Sequence, residues 1–245
     1  MLELANSNEM AVLVTYPGTF MHAQQAARAF AERNVLRAFV TGFAAPDQSA
    51  FANIIKHLPK ELQLRIAKEL SRRQISEIQA SKIISRPGLD LLRSAIARYT
   101  TNPILADIVW DYMSHKFDRT VANRYLNGIQ LVHAFEYTAQ YTFERANEMG
   151  IACVLAMPSI DSREFEEIKR REQSKFPELR TRYDAYFDRQ FEKRYERRRA
   201  EISRADIIVA NSRLTKLSHI RAGADKEKIH DAEFLLEVRL QRDFH

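Results

Sequence analysis

Residues Gly128 to Pro158, GIQLVHAFEYTAQYTFERANEMGIACVLAMP, constrain the fold more than any other stretch of the chain. An apolar run from Ile129 to Ala134 reads as a buried strand. The periodicity that follows predicts an amphipathic helix over about Thr138 to Met149. Gly150 stands where a helix closes on a left-handed residue, and Ile151 to Met157 reads as a second buried strand. Two buried strands joined by a helix run parallel, with a right-handed crossover. Open parallel sheets bind ligands beyond the carboxyl ends of their strands. His133, read as the end of the first strand, and Glu136, at the entrance of the helix, are therefore candidate site residues.

The same grammar recurs along the chain. Met10 to Tyr16 reads as a strand that ends at the turn pair Pro17-Gly18. A helix over about His22 to Arg33 and a strand from Val35 to Thr41 follow. Ala205 to Ala210 reads as a late strand, with Asn211 and Ser212 capping a helix that runs to about Ala222 before Gly223. Strands alternating with helices predict an α/β fold: a single Rossmann-like domain with a parallel sheet and helices on both faces. Residues 1–230 are assigned to that domain, and 231–245 to a tail. Two stretches are read as helical insertions, 49–125 and 162–204. The first shows helical patterns broken near Pro59, Pro87 and Pro103, with no convincing strand.

Composition narrows the function classes. Six glycines are too few for a glycine-rich phosphate cradle, and neither G-x-G-x-x-G nor a Walker loop occurs. No G-x-S-x-G elbow is present, and the single cysteine, Cys153, falls inside a predicted buried strand, which argues against a serine or cysteine nucleophile. The seven histidines do not cluster with cysteine or carboxylate at ligand spacing, so no metal site is expected. No apolar run is long enough to span a bilayer, and a reducing cytoplasm fits the lone cysteine.

The net charge of +6 is concentrated in 162–204, which holds fourteen Lys and Arg against ten Asp and Glu. Tyr183, Tyr186, Phe187, Phe191 and Tyr195 form an aromatic stripe there at helical spacing. Packing on the domain core is the first reading of the stripe. A surface that meets anionic lipid or a phosphorylated acceptor is the second. No nucleic-acid motif accompanies the basic residues, so nucleic acid is not expected as a partner.

The turn at Gly18 and Thr19 precedes a helix start, whose unpaired amides attract phosphate or sugar hydroxyls. His22 lies in the first turn of that helix. His133 could hydrogen-bond a ligand or exchange a proton near neutral pH, or could be a satisfied core histidine. Helix capping is the default role of Asn211 and Ser212, and it accounts well for Glu136, a carboxylate at a helix entrance. Arg213 could pair with a phosphate.

In order, the segments YPGTF, QLVHAFEYTA, SRADIIVANS and LTKLSHIRAGADKEKIH resemble the N-terminal domain of family-4 glycosyltransferases of the GT-B fold. The likeness spans most of Met10 to His230. It implies two Rossmann-like domains facing each other across a cleft, with the acceptor held mainly by the N-terminal one and the nucleotide-sugar by the other. It implies that Gly18 and Thr19 approach the donor phosphates or sugar, that His133 lies near the transferred sugar, and that no metal or other cofactor takes part, the nucleotide-sugar being substrate. Expected partners are a nucleotide-sugar and a sugar or glycolipid acceptor.

After Lys228-Ile229-His230 the chain departs from the family pattern, reading DAEFLLEVRLQRDFH. The expectation is an acceptor-side half with little or no transfer activity alone. It would arise from an early stop or as a half-enzyme served by a C-terminal domain on another chain. A non-catalytic ligand- or partner-binding Rossmann-like module is the alternative, and a flavodoxin-like nucleotide-binding domain is a third reading.

Overall fold

The computed structural model of the chain describes residues 10–18, 21–44, 77–88 and 100–231, with single positions and short runs between 59 and 96. The described strands are β1 (Val12–Tyr16), β2 (Leu36–Thr41), β3 (Ile83–Ser85), β4 (Leu131–Phe135), β5 (Ala152–Met157), β6 (Ile207–Ala210) and β7 (Ile229–Asp231). They form one sheet in the order β3-β2-β1-β4-β5-β6-β7, and every neighbouring pair is parallel. The domain is Rossmann-like α/β, as the alternating pattern predicts.

Side chains alternate across the strands and divide the core into two layers. Val132 and Ala134 of β4 join Leu13, Val40, Cys153, Leu155 and Ile208 on one face. That face is covered by α2 (Pro103–Arg124), α3 (Gln140–Glu148) and α5 (Arg182–Arg204), through Phe117, Val121, Phe143 and Ile202. On the other face Val12, Val14, Phe39 and Phe135 pack with Ala23 and Ala27 of α1 (Met21–Glu32). Leu131, His133 and Phe135 point to this second face. Cys153 is fully buried, and its thiol is pushed up to about 12 by burial and by Asp206, which leaves it unreactive.

Local signals place the helix ends. Asn102 caps α2, accepting from the amides of Ile104 at 3.0 Å and Leu105 at 3.4 Å, with Pro103 at the first helical position where no amide is needed. Thr181 and Asp184 form a reciprocal capping box at α5. Asp161 caps α4 (Ser162–Lys175), and Ser212 caps α6 (Arg213–Arg221). Gly150 closes α3 at φ 71°, the left-handed conformation expected of it.

Three readings are corrected. Within 49–125, read as a helical insertion with no convincing strand, Ile83–Ser85 pairs with β2 as the edge strand β3. Three residues carry too little periodicity to be recognised. His133 does not end its strand: β4 begins at Leu131, so His133 is its middle residue, paired with Val14 and Val154. Asp231, assigned to the tail, is the last residue of β7, and 232–245 lie outside the described residues.

Candidate functional site

The chain leaves β1 through α1 to β2, and leaves β4 through α3 to β5, in opposite directions along the sheet. Such divergence opens a crevice between the carboxyl ends of the two strands. The register pairs Thr15 with Ala134, so Pro17 and Gly18 run out beside Glu136 and Tyr137. Tyr16 and Phe135 meet edge to face at 5.4 Å below them. The Gly18 carbonyl accepts from the Thr41 hydroxyl at 2.9 Å, which ties the β1 turn to β2. Gly42 is required at this crossing, because a Cβ there would lie 2.2 Å from the Pro17 carbonyl oxygen.

The β4–α3 loop is held by an unusual concentration of buried charge. Tyr137 adopts φ 73°, a left-handed conformation that costs a bulky residue about 1–3 kcal/mol. Glu201 of α5, fully buried, accepts from the Tyr137 amide at 2.6 Å and the Ala139 amide at 2.9 Å. Arg197 donates to the Tyr137 carbonyl at 3.0 Å. The Tyr137 ring stacks on Trp110 at 4.9 Å, with the Arg198 guanidinium 4.7 Å from its centroid and its hydroxyl on Asp111.

Arg197 also forms a buried ion pair with Asp118 at 2.5 Å. Asp118 in turn accepts from the Tyr141 and Thr142 amides at 3.0 and 2.8 Å, so a carboxylate of α2 caps the start of α3. Burial pushes the Glu201 carboxyl up to about 8 against the pull of Arg197 and the two amides. Burial works against the charged form of Asp111 too, but hydrogen bonds from His115 and Tyr137 outweigh it and hold its carboxyl below the usual carboxylate range.

Beside this loop lies a cavity of about 380 Å³, bounded by Glu136, Ser159 and Ile160 at the strand ends and by α4 and α5. Glu136 Oε1 accepts from Arg198 at 2.6 Å, while Oε2 is buried and has no hydrogen-bond partner. Phe165, Phe187 and Phe191 supply ring surface, and Arg194, paired with Asp107, closes one side.

The other expected site residues fall as follows. Gly18 and Glu136 come together at the crevice. His22 is exposed in the first turn of α1, on the β1 side, and Thr19 lies outside the described residues. His133 is set back inside the sheet, its ring edge to face with Phe30 at 5.8 Å and Phe135 at 5.3 Å. Burial drives its pKa down to about 4, so the ring is neutral near pH 7.

Asn211 and Ser212 stand at the end of β6, three strands from β1. Ser212 caps the helix, accepting from the Thr215 amide at 3.2 Å, whereas Asn211 does not cap it but braces the loop, donating to the Pro158 carbonyl at 2.7 Å and accepting from the Thr215 hydroxyl at 2.6 Å. Arg213 is exposed beside them. The aromatic stripe packs against neighbouring helices rather than the sheet: Tyr183 bonds Asp107 of α2, and Arg163 of α4 lies 4.2 Å over Tyr195.

Sequence reasoning passed over Tyr137, Arg194, Arg197, Arg198 and Glu201. The signal was present, because Arg194, Arg197, Arg198 and Glu201 recur at helical spacing on the face that carries the aromatic stripe. Charge at core-facing positions implies buried partners.

A larger cavity, about 780 Å³, lies at the opposite, amino edge of the strands, with Asn34, Arg37, Lys82 and Arg124 in its walls. Helix carboxyl ends point to that edge, which disfavours an anionic ligand despite the three cations. The carboxyl edge is the better candidate.

No protein-family model matches the sequence, and no curated protein does. Among solved structures the chain is similar to a UDP-glucosyltransferase from Polygonum tinctorium capable of glucosylating indoxyl, at 13% identity and TM-score 0.43, over 91% of this chain and 52% of that one. It is similar to a UDP-N-acetylglucosamine 2-epimerase at 10% identity and TM-score 0.40, over 90% and 47%. Anabaena HepE in complex with UDP and glucose matches at 11% identity and TM-score 0.37, over 91% and 43%. The chain thus spans about half the length of these proteins. At such distance the likenesses carry no functional argument, and the fold rests on the strand order itself. Among the described residues no helix is long and apolar enough to cross a membrane.

Proposed function

We propose that the chain is the acceptor-side half of a family-4, GT-B-type glycosyltransferase that uses a nucleotide-sugar donor. One observation carries the reading. The motif ends Pro17-Gly18, Glu136-Tyr137 and Asn211-Ser212, far apart in sequence, follow β1, β4 and β6 of one parallel sheet and so share its carboxyl edge. The helices that follow these strands begin at the same edge, where their amides favour a diphosphate. The cavity beside Glu136 supplies room for an acceptor. The donor-binding domain is supplied by further sequence or by another chain. Exposed Phe176 and Leu179 between α4 and α5, flanked by Lys175 and Arg180, suit contact with an anionic membrane surface.

The test is transfer from radiolabelled UDP-sugars to simple glycosides. The 245-residue chain alone is expected to give background transfer, and the chain joined with a donor-binding domain is expected to give product. A flavin or dinucleotide held tightly by the purified chain would overturn the reading. A second reading, a non-catalytic ligand- or partner-binding module, is favoured by the burial of His133, the one residue expected to act directly on the sugar. A joined protein that binds both substrates without turnover would favour it.

A further inference from the structure

The amino-edge cavity of about 780 Å³ is a poor place for a diphosphate, and the rest of its chemistry points to a different ligand. Arg37 of β2, Lys82 just before β3 and Arg124 in the last turn of α2 stand in its walls, and none of its described lining residues is acidic. Among the described residues none of these three side chains has an ion-pair partner. The core-facing cations of α5 show the opposite pattern: Arg194, Arg197 and Arg198 each pair with a carboxylate. Three like charges gathered around one cavity repel one another, and an acidic ligand relieves that repulsion.

These groups are within reach of a ligand. Arg37 and Arg124 are exposed and Lys82 is half-buried, while the side chains of Asn34, Ser81 and Asn127, also in the walls, are exposed. The two asparagines each offer an amide donor and an amide acceptor, and the serine offers both in one hydroxyl. The helix carboxyl ends at this edge add a negative field that opposes a compact, acceptor-only anion. A peptide rich in Asp or Glu meets both demands. Its carboxylates answer the cations, and its backbone N–H and C=O groups answer the amides and the negative helix ends. The volume lies toward the upper end for ligand sites, with room for a short stretch of chain.

We propose that the amino-edge cavity is a docking site for an acidic peptide segment of a partner protein, with Arg37, Lys82 and Arg124 as its anchors. The assignment is independent of the function proposed for the carboxyl edge.

The probe is hexaglutamate, blocked at both ends, titrated into the 245-residue chain and followed by amide-resolved NMR. Hexaglutamine serves as the uncharged peptide and inorganic triphosphate as the anion without N–H donors. Hexaglutamate is expected to shift the amides of Asn34, Arg37, Lys82 and Arg124, and to bind at least about tenfold more tightly than hexaglutamine. Triphosphate is expected to bind more weakly than hexaglutamate. Joint replacement Arg37→Glu and Arg124→Glu is expected to weaken hexaglutamate binding about tenfold or more. Arg189→Glu with Lys193→Glu, the same charge change at two exposed and unpaired cations of α5, is expected to alter it less than about twofold.

Absence of hexaglutamate binding, or shifts spread over other basic surfaces, would overturn the proposal. So would tighter binding of triphosphate at the same residues, which would make the site one for phosphate. Equal weakening by the two double replacements would reduce the effect to net charge and overturn it as well. The wild-type comparison of the three probes needs no variant to fold.

Discussion

Replacing His133 by phenylalanine is expected to remove an acid-side loss of stability. The ring sits in the second core layer against Phe30 and Phe135, and burial lowers its pKa from 6.5 to about 4. The unfolded chain takes up a proton near pH 6.5, while the folded chain declines it until about pH 4. Acid therefore favours unfolding, and the contribution is fully present above pH 6.5 and lost as pH falls from there toward 4.

The slope in that window is about 1.4 kcal/mol per pH unit, and the loss between pH 8 and pH 5 is about 2 kcal/mol. Urea denaturation at pH 8, 7, 6 and 5 measures it. The wild-type midpoint is expected to drop relative to the variant by about 1 M across the range. Phenylalanine is close in volume and joins an existing aromatic cluster, so the variant should fold. Parallel profiles for the two proteins would show that the folded ring protonates freely, and would refute the assignment of His133 to the core.

Gly42→Ala is expected to cost about 1–3 kcal/mol in thermal or urea unfolding, because the new Cβ would meet the Pro17 carbonyl and must displace the β1 turn. Gly88→Ala, with open space around its Cβ, is the matched control and should change stability by less than about 0.5 kcal/mol. Glu201→Gln turns one of two buried acceptors into a donor facing an amide, for a loss of about 1–3 kcal/mol. Hydrogen exchange should then accelerate at the Tyr137 and Ala139 amides first. Unchanged exchange there would contradict the role given to Glu201.

The parallel sheet was legible because buried strands and their crossover helices write two different periods into the sequence. The Ile151–Met157 and Val35–Thr41 runs come within a residue of their observed strands. Element limits were less legible. The strand read as Ile129 to Ala134 begins two residues too early and stops one short of Phe135, so His133, taken as its end, is the middle residue of the observed strand.

The site was half legible. Gly18 and Glu136 follow directly from strand ends. The residues that shape the β4–α3 loop come from α2 and α5, more than twenty positions before and some sixty after it, so their pairing depends on tertiary packing that no local pattern encodes. Asp118, for example, is an ordinary helix residue in sequence and a cap for α3 in space.

Amide-resolved NMR titration of the chain, joined with a donor-binding domain, with UDP-glucose tests the central claim most directly. The account expects shifts confined to the carboxyl edge, at Gly18, at residues 136–139 and around Asn211 to Arg213. Shifts clustered instead around Asn34, Arg37, Lys82 and Arg124, at the amino edge, would contradict it.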